Sequence, residues 1–142
     1  MSSNQKVTVR TTHCFAAKPE RVFDAWLDEK AAGQWLFATP TGTITRCEID
    51  ARVGGKFTIV RRDGEEIEHV GEYLEIDRPR RLVFTFGVPR FSIEMTRVTV
   101  EIAPSGAGAA LTLVHEGVLP EWEAPTKQGW GMILEGLERN LA

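Results

Sequence analysis

Four polar side chains between residues 69 and 115 are of types that could carry acid–base chemistry. They are His69, Tyr73, Glu94 and His115. A histidine with a carboxylate partner can act as a general base near neutral pH, and a tyrosine hydroxyl can donate to a developing enolate or carbonyl oxygen. The four residues therefore form a candidate polar constellation for a cyclase, isomerase or hydrolase.

A simpler interpretation is that each of these residues is a hydrogen-bonded part of a cavity wall. We prefer it, and we assign no catalytic residue. A metal site built from His69, His115 and Glu94 would lack the tight ligand spacing of metal-binding motifs. Cys14 and Cys47 lie far apart with no CxxC partner, which indicates two reduced, half-buried thiols. We predict neither a metal nor a cofactor.

Length and charge restrict the class of protein. A chain of 142 residues can bury one sizeable core, so we expect a single domain over residues 1–142. The net charge of −3 argues against a nucleic-acid partner, since the densest basic run, Arg78–Arg81, adjoins Asp77 and is typical of a solvated turn. No segment approaches the roughly 18 apolar residues of a membrane span, and the N-terminal residues MSSNQKV have neither the charged and apolar regions nor the cleavage site of a signal peptide. We expect a cytoplasmic protein with no membrane partner.

The N-terminal third predicts one strand followed by helix. Thr8–Phe15 alternates and is rich in β-branched residues, which indicates a strand. Pro19 suits the first position of a helix, and apolar residues recur at helical spacing as far as Leu27. We expect Gly33 to end this helix before a second short turn with the sequence WLF.

A period of two begins at Thr43 and predicts an antiparallel meander of six strands. The strands are expected at Thr43–Ile49, Lys56–Arg62, Glu66–Ile76, Arg81–Phe86, Phe91–Ala103 and Ala109–Gly117. Because a strand and not a helix follows Gly54 and Gly55, we interpret this pair as a turn with positive φ and not as a phosphate-binding loop. A local ion pair between Asp50 and Arg52, or a bond from one of these side chains to the backbone, could fix the turn.

Helical spacing returns near the C-terminus and predicts one long helix. It covers Glu121–Leu141, with a start near Ala124 as the alternative because Pro125 fits a first turn better than a helix interior. The sequence EWE around Trp122 could gate a cavity mouth or could simply be a solvated helix start.

Alternation along the strands predicts an apolar inner face, which the aromatic residues of the helices would cover. Such a chamber, with a few polar groups, is typical of a small-molecule site. The candidate cavity residues are Trp26, Trp35, His69, Tyr73, Phe84, Phe86, Glu94, Val98, His115, Trp130 and Ile133. The alternative is that these side chains fill a core at native packing density and leave no cavity.

Five motifs along nearly the whole chain resemble one known family. They are PERVFDAWLDEKAAGQW (19–35), DARVGGKF (50–57), GEYLEIDRPRRLVFTF (71–86), VTVEI with LTLVHEGV (98–102 and 111–118), and GWGMILEGL (129–137). The chain is similar to the family related to the C-terminal domain of the activator of heat-shock protein 90 ATPase, within the START and Bet v 1-like (SRPBCC) superfamily. The resemblance implies an α+β helix-grip fold, in which a curved antiparallel sheet wraps around a long C-terminal helix, with two short helices after strand one.

The resemblance implies a scaffold, and three functions remain open on it. The preferred one is reversible binding of a small apolar or aromatic molecule between the sheet and the C-terminal helix, without chemistry. The second is an interaction module that contacts a heat-shock chaperone. The third is an enzyme of cyclase or hydrolase type that uses the same cavity. Both a monomer and a homodimer paired through an edge strand fit the sequence.

Overall fold

A computed structural model of the protein describes residues 6–39, 41–90 and 94–141, and these form one seven-stranded sheet with three α-helices. The first part contains β1 Val7–Phe15, α1 Pro19–Leu27, α2 Glu29–Trp35, β2 Thr43–Ile49, β3 Lys56–Asp63 and β4 Glu65–Asp77. The second part contains β5 Arg81–Phe86, β6 Thr96–Ser105, β7 Gly108–Val118, a 3-10 turn at Pro120–Trp122 and α3 Glu123–Leu141.

The sheet is the predicted antiparallel meander of six strands, and the first strand, β1, adds to it by pairing with β7. The strand order is β1-β7-β6-β5-β4-β3-β2, so β1 and β2 are the two edges. The start of the predicted Phe91–Ala103 strand differs from the structure. Residues 91–93 lie outside the described residues, and Glu94 and Met95 have no regular structure before β6 begins at Thr96. The element order is that of a helix-grip fold.

The break between the two short helices was predicted at Gly33, and this was wrong. Asp28 separates α1 from α2, and Gly33 lies inside α2. The Asp28 backbone is extended, and its side chain accepts a hydrogen bond from the Lys30 N–H at 3.0 Å. An aspartate in this position satisfies an N–H that the helix leaves unpaired, so it starts a new helix.

The predicted glycine turn is present, but the two glycines have different roles. Gly54 has a φ of 86°, as predicted, whereas Gly55 has no positive φ. A Cβ on Gly55 would lie 2.1 Å from the Asp50 carbonyl oxygen, so close approach of the backbone excludes a side chain there. The loop also pairs with β4, because the Tyr73 N–H donates to the Gly55 carbonyl at 2.9 Å. The predicted ion pair between Asp50 and Arg52 forms at 2.9 Å.

Three glycine-to-alanine variants are expected to separate these roles by their free energies of unfolding. Gly55→Ala should lose about 2–3 kcal/mol because the new Cβ displaces backbone, and Gly54→Ala about 1 kcal/mol because alanine resists positive φ. Gly129→Ala in α3 is the control, since a Cβ there meets nothing within 4 Å. It should gain up to about 1 kcal/mol from helix propensity. Urea unfolding measures all three, and equal losses for Gly54→Ala and Gly55→Ala would contradict this assignment.

The core lies between the inner face of the sheet and the three helices. From α3 it takes Trp130, Leu134 and Leu137, which are 3%, 0% and 0% exposed. From α1 and α2 it takes two tryptophans, Trp26 and Trp35, whose rings meet edge to face with centroids 4.8 Å apart. The predicted inner face of the strands is confirmed by the burial of alternate residues in β4, β6 and β7.

Candidate functional site

A pocket of about 350 Å³ opens where the ends of β5, β6 and β7 meet the segment that leads into α3. We call it the outer pocket. Its lining consists of Phe86, Gly87, Val88, Glu94, Thr96, His115, Gly117, Val118, Leu119, Trp122 and Thr126. This is an apolar wall with a few polar groups, at the small end of the size range of ligand sites.

His115 lines the outer pocket and belongs to a chain of hydrogen bonds. Trp130 Nε1 donates to His115 Nδ1 at 3.0 Å, and His115 Nε2 lies 2.7 Å from Thr96 Oγ1. An indole N–H is a donor only, so Nδ1 must accept and the imidazole proton must reside on Nε2. Thr96 then accepts from His115 and donates its own proton to the Phe86 carbonyl at 2.8 Å. These hydrogen bonds together fix one neutral tautomer of His115.

This tautomer has chemical consequences. His115 is 4% exposed, and burial lowers its pKa from 6.5 to about 4. Its one lone pair accepts the Trp130 N–H, so no lone pair is free to take a proton from a ligand. A general base needs a free lone pair within reach of the substrate. The arrangement suits a rigid wall that joins β7 to α3.

His69 on β4 is held in a similar state. It is 5% exposed, and its Nδ1–H donates to the Ile59 carbonyl at 3.1 Å. Burial, helped by the positive charge of Arg61, lowers the pKa of His69 from 6.5 to about 4. The neutral ring lies flat on the Phe37 ring, with centroids 4.5 Å apart and planes 6° apart. His69 therefore behaves as one more ring of an aromatic core.

Deeper in the fold the predicted chamber narrows to a void of about 10 Å³, here called the inner void. It is lined by Trp26, Leu36, Phe57, Tyr73, Leu82 and Phe84. Burial raises the pKa of Tyr73 well above its usual range. Trp26 Nε1 is buried and has no hydrogen-bond partner among the described residues. A space of this size holds one water molecule at most.

The candidate cavity residues divide between these two spaces and the core. Phe86, Glu94 and His115 line the outer pocket. Trp26, Tyr73 and Phe84 line the inner void. The other five line neither space: Trp35, His69, Val98 and Trp130 are buried and Ile133 is half-buried.

The four polar candidates do not share one pocket. Glu94 and His115 face the outer pocket, and the exposed Glu94 carboxylate forms an ion pair with Lys6 at 2.9 Å. Tyr73 lines the inner void, and His69 lines neither space. Within the part of the chain that the structure describes, no three His, Cys, Asp or Glu side chains are placed to hold a metal ion.

The two thiols differ from each other. Cys47 is half-buried, as predicted, and burial with the nearby Glu29 charge raises its pKa to about 11. A thiol with so high a pKa is unreactive near neutral pH. Cys14 is exposed, which corrects the prediction of two half-buried thiols, because it points outward from the edge strand β1.

Several residues of this region were not predicted from the sequence. Val88, Leu119 and Thr126 line the outer pocket, and Phe37 packs its ring at the centre of the aromatic core. The one available signal was the EWE sequence, which suggested a gate, and Trp122 does line the pocket with 54% of its surface exposed. Val88, Leu119 and Thr126 lie outside the regular alternation of any strand, so periodicity could not single them out.

A larger groove of about 520 Å³ lies on the surface between α2 and α3. Its lining consists of Gln34, Trp35, Ala38, Thr39, Met132, Glu135, Gly136, Arg139 and Asn140. Asn140 and Gln34 join across it by a hydrogen bond of 2.5 Å. The exposed charged side chains of Glu135 and Arg139 make this groove more polar than the outer pocket. The outer pocket therefore has the better composition for an apolar ligand.

Comparison with known proteins agrees with the helix-grip fold of the chain. The family model described as activator of Hsp90 ATPase homolog 1-like protein matches residues 16–142. The chain belongs to this family. A Chromobacterium violaceum protein of known structure is 29% identical to this member of the Hsp90 ATPase activator homolog family, with a TM-score of 0.85 over 93% of this chain and 94% of that chain. Membership supports, in general terms, a ligand-binding or chaperone-associated module.

Other solved structures share the fold of this chain at lower identity. An AHSA1-like protein from Aeromonas hydrophila is 20% identical, with a TM-score of 0.80 over 95% of this chain and 92% of that chain. A Staphylococcus aureus protein of unknown function is 19% identical, with a TM-score of 0.85 over 96% and 94%. No curated protein sequence matches the chain. None of the helices described here is long and apolar enough to span a membrane.

Proposed function

We propose that the protein reversibly binds a small, neutral, apolar or aromatic molecule in the outer pocket, without chemical conversion. The observation that carries this proposal is the pocket itself, about 350 Å³ of mostly apolar space between the sheet and the start of α3. Trp122, which lines the pocket, is 54% exposed, and Met95, the neighbour of the lining residue Glu94, is 48% exposed. Exposed apolar surface at a concave site is typical of a binding site.

The charge of the lining favours a neutral ligand. Glu94 is the one charged side chain among the described residues that line the outer pocket. Its pairing with Lys6 lowers the pKa of this carboxyl below the usual range, so it stays anionic near neutral pH. Among the described residues that line the pocket, no cationic side chain is present to pair with an anionic ligand.

The polar network supports binding without chemistry. His115, the imidazole of the outer pocket, has its acceptor nitrogen occupied by Trp130 and its N–H directed at Thr96. His115 could act as a base only if the hydrogen bond from Trp130, which joins α3 to β7, were broken. We further propose a cytoplasmic location, which two cysteines without a disulfide support.

A blocking variant is expected to weaken the binding of a neutral fluorescent probe, N-phenyl-1-naphthylamine. Thr126 lines the outer pocket and Lys127, the next residue of α3, is exposed and does not line it. Thr126→Trp should fill the space and weaken probe binding by about 10-fold or more, roughly 1.4 kcal/mol. Lys127→Trp adds the same ring on the same helix and should leave the affinity unchanged.

The probe titration is read as an increase of fluorescence, with circular dichroism to confirm that both variants are folded. Equal affinity of Thr126→Trp and the unmodified protein would exclude the outer pocket as the site. A native mass spectrum of gently purified protein gives an independent test. A mass that is lost on denaturation would reveal the natural ligand and its size.

A further inference from the structure

The ring of Phe37 fills a slot built from other flat rings. Three rings around it are close to parallel with it: His69 at 4.5 Å and 6°, Phe86 at 5.1 Å and 25°, and Phe57 at 6.5 Å and 22°. Trp130 closes the slot at 5.8 Å with a tilted ring. Phe37 itself is 4% exposed. This geometry accepts a flat aromatic ring better than a branched aliphatic group.

The backbone that delivers this ring is strained. Phe37 has a φ of 61°, and it is the only non-glycine residue with positive φ in the part of the chain that the structure describes. Bulky residues avoid this region because Cβ crowds the backbone, and such strain persists only when the surroundings impose it. Phe37 also lies in the turn after α2, outside any helix or strand. Its departure from the slot would release strain and break no regular element.

One contact holds the Phe37 peptide in place from β3. Arg61 donates a hydrogen bond to the Phe37 carbonyl at 3.1 Å. The same guanidinium has its Nε buried with no hydrogen-bond partner among the described residues. Displacement of the Phe37 peptide would break this hydrogen bond and would let the guanidinium rearrange to satisfy its Nε.

The slot adjoins the outer pocket. Phe86 lines the outer pocket and also packs on Phe37. Trp130 packs on Phe37 as well, and its indole N–H donates to His115, which lines the outer pocket. A ligand that enters the outer pocket therefore meets the Phe37 ring behind Phe86. Movement of Phe37 would extend the pocket inward by the volume of one phenyl ring.

We propose that Phe37 is a displaceable plug and that its slot binds one flat, uncharged aromatic ring of the ligand. This inference rests on the proposed function and names the ligand class for the same site. The incoming ring stacks on His69 in place of Phe37, while the rest of the ligand occupies the outer pocket. The displaced side chain moves with the turn after α2.

Toluene, the side-chain analogue of phenylalanine, is the probe that tests the slot. Phe37→Gly vacates the slot and removes the strain, because glycine tolerates positive φ. Toluene should bind Phe37→Gly at least ~10-fold more tightly than the unmodified protein, in which the open state is a minor population. Methylcyclohexane, of similar size but not flat, should gain much less. Isothermal titration calorimetry measures all four affinities.

The unmodified protein tests displacement itself. In nuclear magnetic resonance spectra at saturating toluene, we expect nuclear Overhauser contacts between toluene and the rings of His69 and Phe57. Contacts confined to Leu119 and Thr126 of the outer pocket would overturn the plug while leaving the proposed function intact. Equal toluene affinity for Phe37→Gly and the unmodified protein would also overturn it.

A stability comparison tests the strain separately. Phe37→Ala removes the same ring but keeps a Cβ at positive φ, so it is the matched control for Phe37→Gly. The equilibrium constant for unfolding should be roughly fivefold smaller for Phe37→Gly than for Phe37→Ala. Equal or lower stability of the glycine variant would show that the Phe37 backbone is unstrained, and would remove the driving force for displacement.

Discussion

Trp130→Ala is expected to lower the free energy of unfolding by about 3–5 kcal/mol, the range for removing a large buried aromatic side chain. Trp130 is 3% exposed, and its ring packs within 6.3 Å of the ring centroids of Trp26, Phe37 and Phe86. The variant also removes the donor that His115 Nδ1 accepts. A buried acceptor left without a partner adds to the cost of the cavity.

The matched control is the tryptophan-to-alanine replacement at Trp122, in the 3-10 turn that precedes α3. Trp122 is 54% exposed, so Trp122→Ala should change the free energy of unfolding by no more than about 0.5 kcal/mol. Trp130→Phe separates the two contributions, because it keeps most of the ring and loses the N–H. It should cost about 1–3 kcal/mol. Urea unfolding measures the three variants, and similar losses for Trp122→Ala and Trp130→Ala would refute the central position of Trp130.

Acid is expected to destabilise the protein through its two buried histidines. The pKa of His69 and that of His115 are each lowered from 6.5 to about 4. Between these values the unfolded chain binds protons that the folded protein does not, so stability falls as the pH falls. The stabilisation is complete above pH 6.5 and is lost by about pH 4. The loss is about 3 kcal/mol for each histidine, a large part of the stability of a small domain.

Variants that cannot titrate isolate this effect. His115→Gln keeps an acceptor for Trp130 and a donor for Thr96, and His69→Phe keeps a flat ring against Phe37. Each should remove about half of the difference in unfolding free energy between pH 7 and pH 4.5, and the double variant most of it. The same carboxylates are present in the unmodified protein and in every variant, so their contribution cancels in the comparison. An unchanged pH dependence in the double variant would show that neither histidine is held neutral by burial.

The two histidines also show where reasoning from the sequence succeeded and where it failed. Alternation along β4 and β7 correctly predicted that His69 and His115 face the inside of the sheet. It could not predict their partners, because Trp130 lies in α3 and Phe37 in the turn after α2, and strand alternation does not show how these segments pack on the sheet. Burial in the folded protein keeps both rings neutral, so they have the roles of core residues.

The sequence by itself determined the order of strands and helices, the antiparallel meander, the long C-terminal helix and the membership of the family. These features depend on local spacing, turn residues and motifs, which a single chain displays directly. Even the bounds of most strands follow from them. Where a boundary prediction was wrong, as at Gly33, an aspartate with a capping side chain outweighed the glycine.

Only the tertiary structure decided where the chamber is open and where it is filled. The outer pocket forms because three strand ends and the start of α3 meet without closing, and no local pattern encodes that gap. The filled part depends on Phe37, which the packing of four surrounding rings holds at a φ of 61°. Local preference disfavours that conformation for phenylalanine, so contacts distant in sequence must impose it.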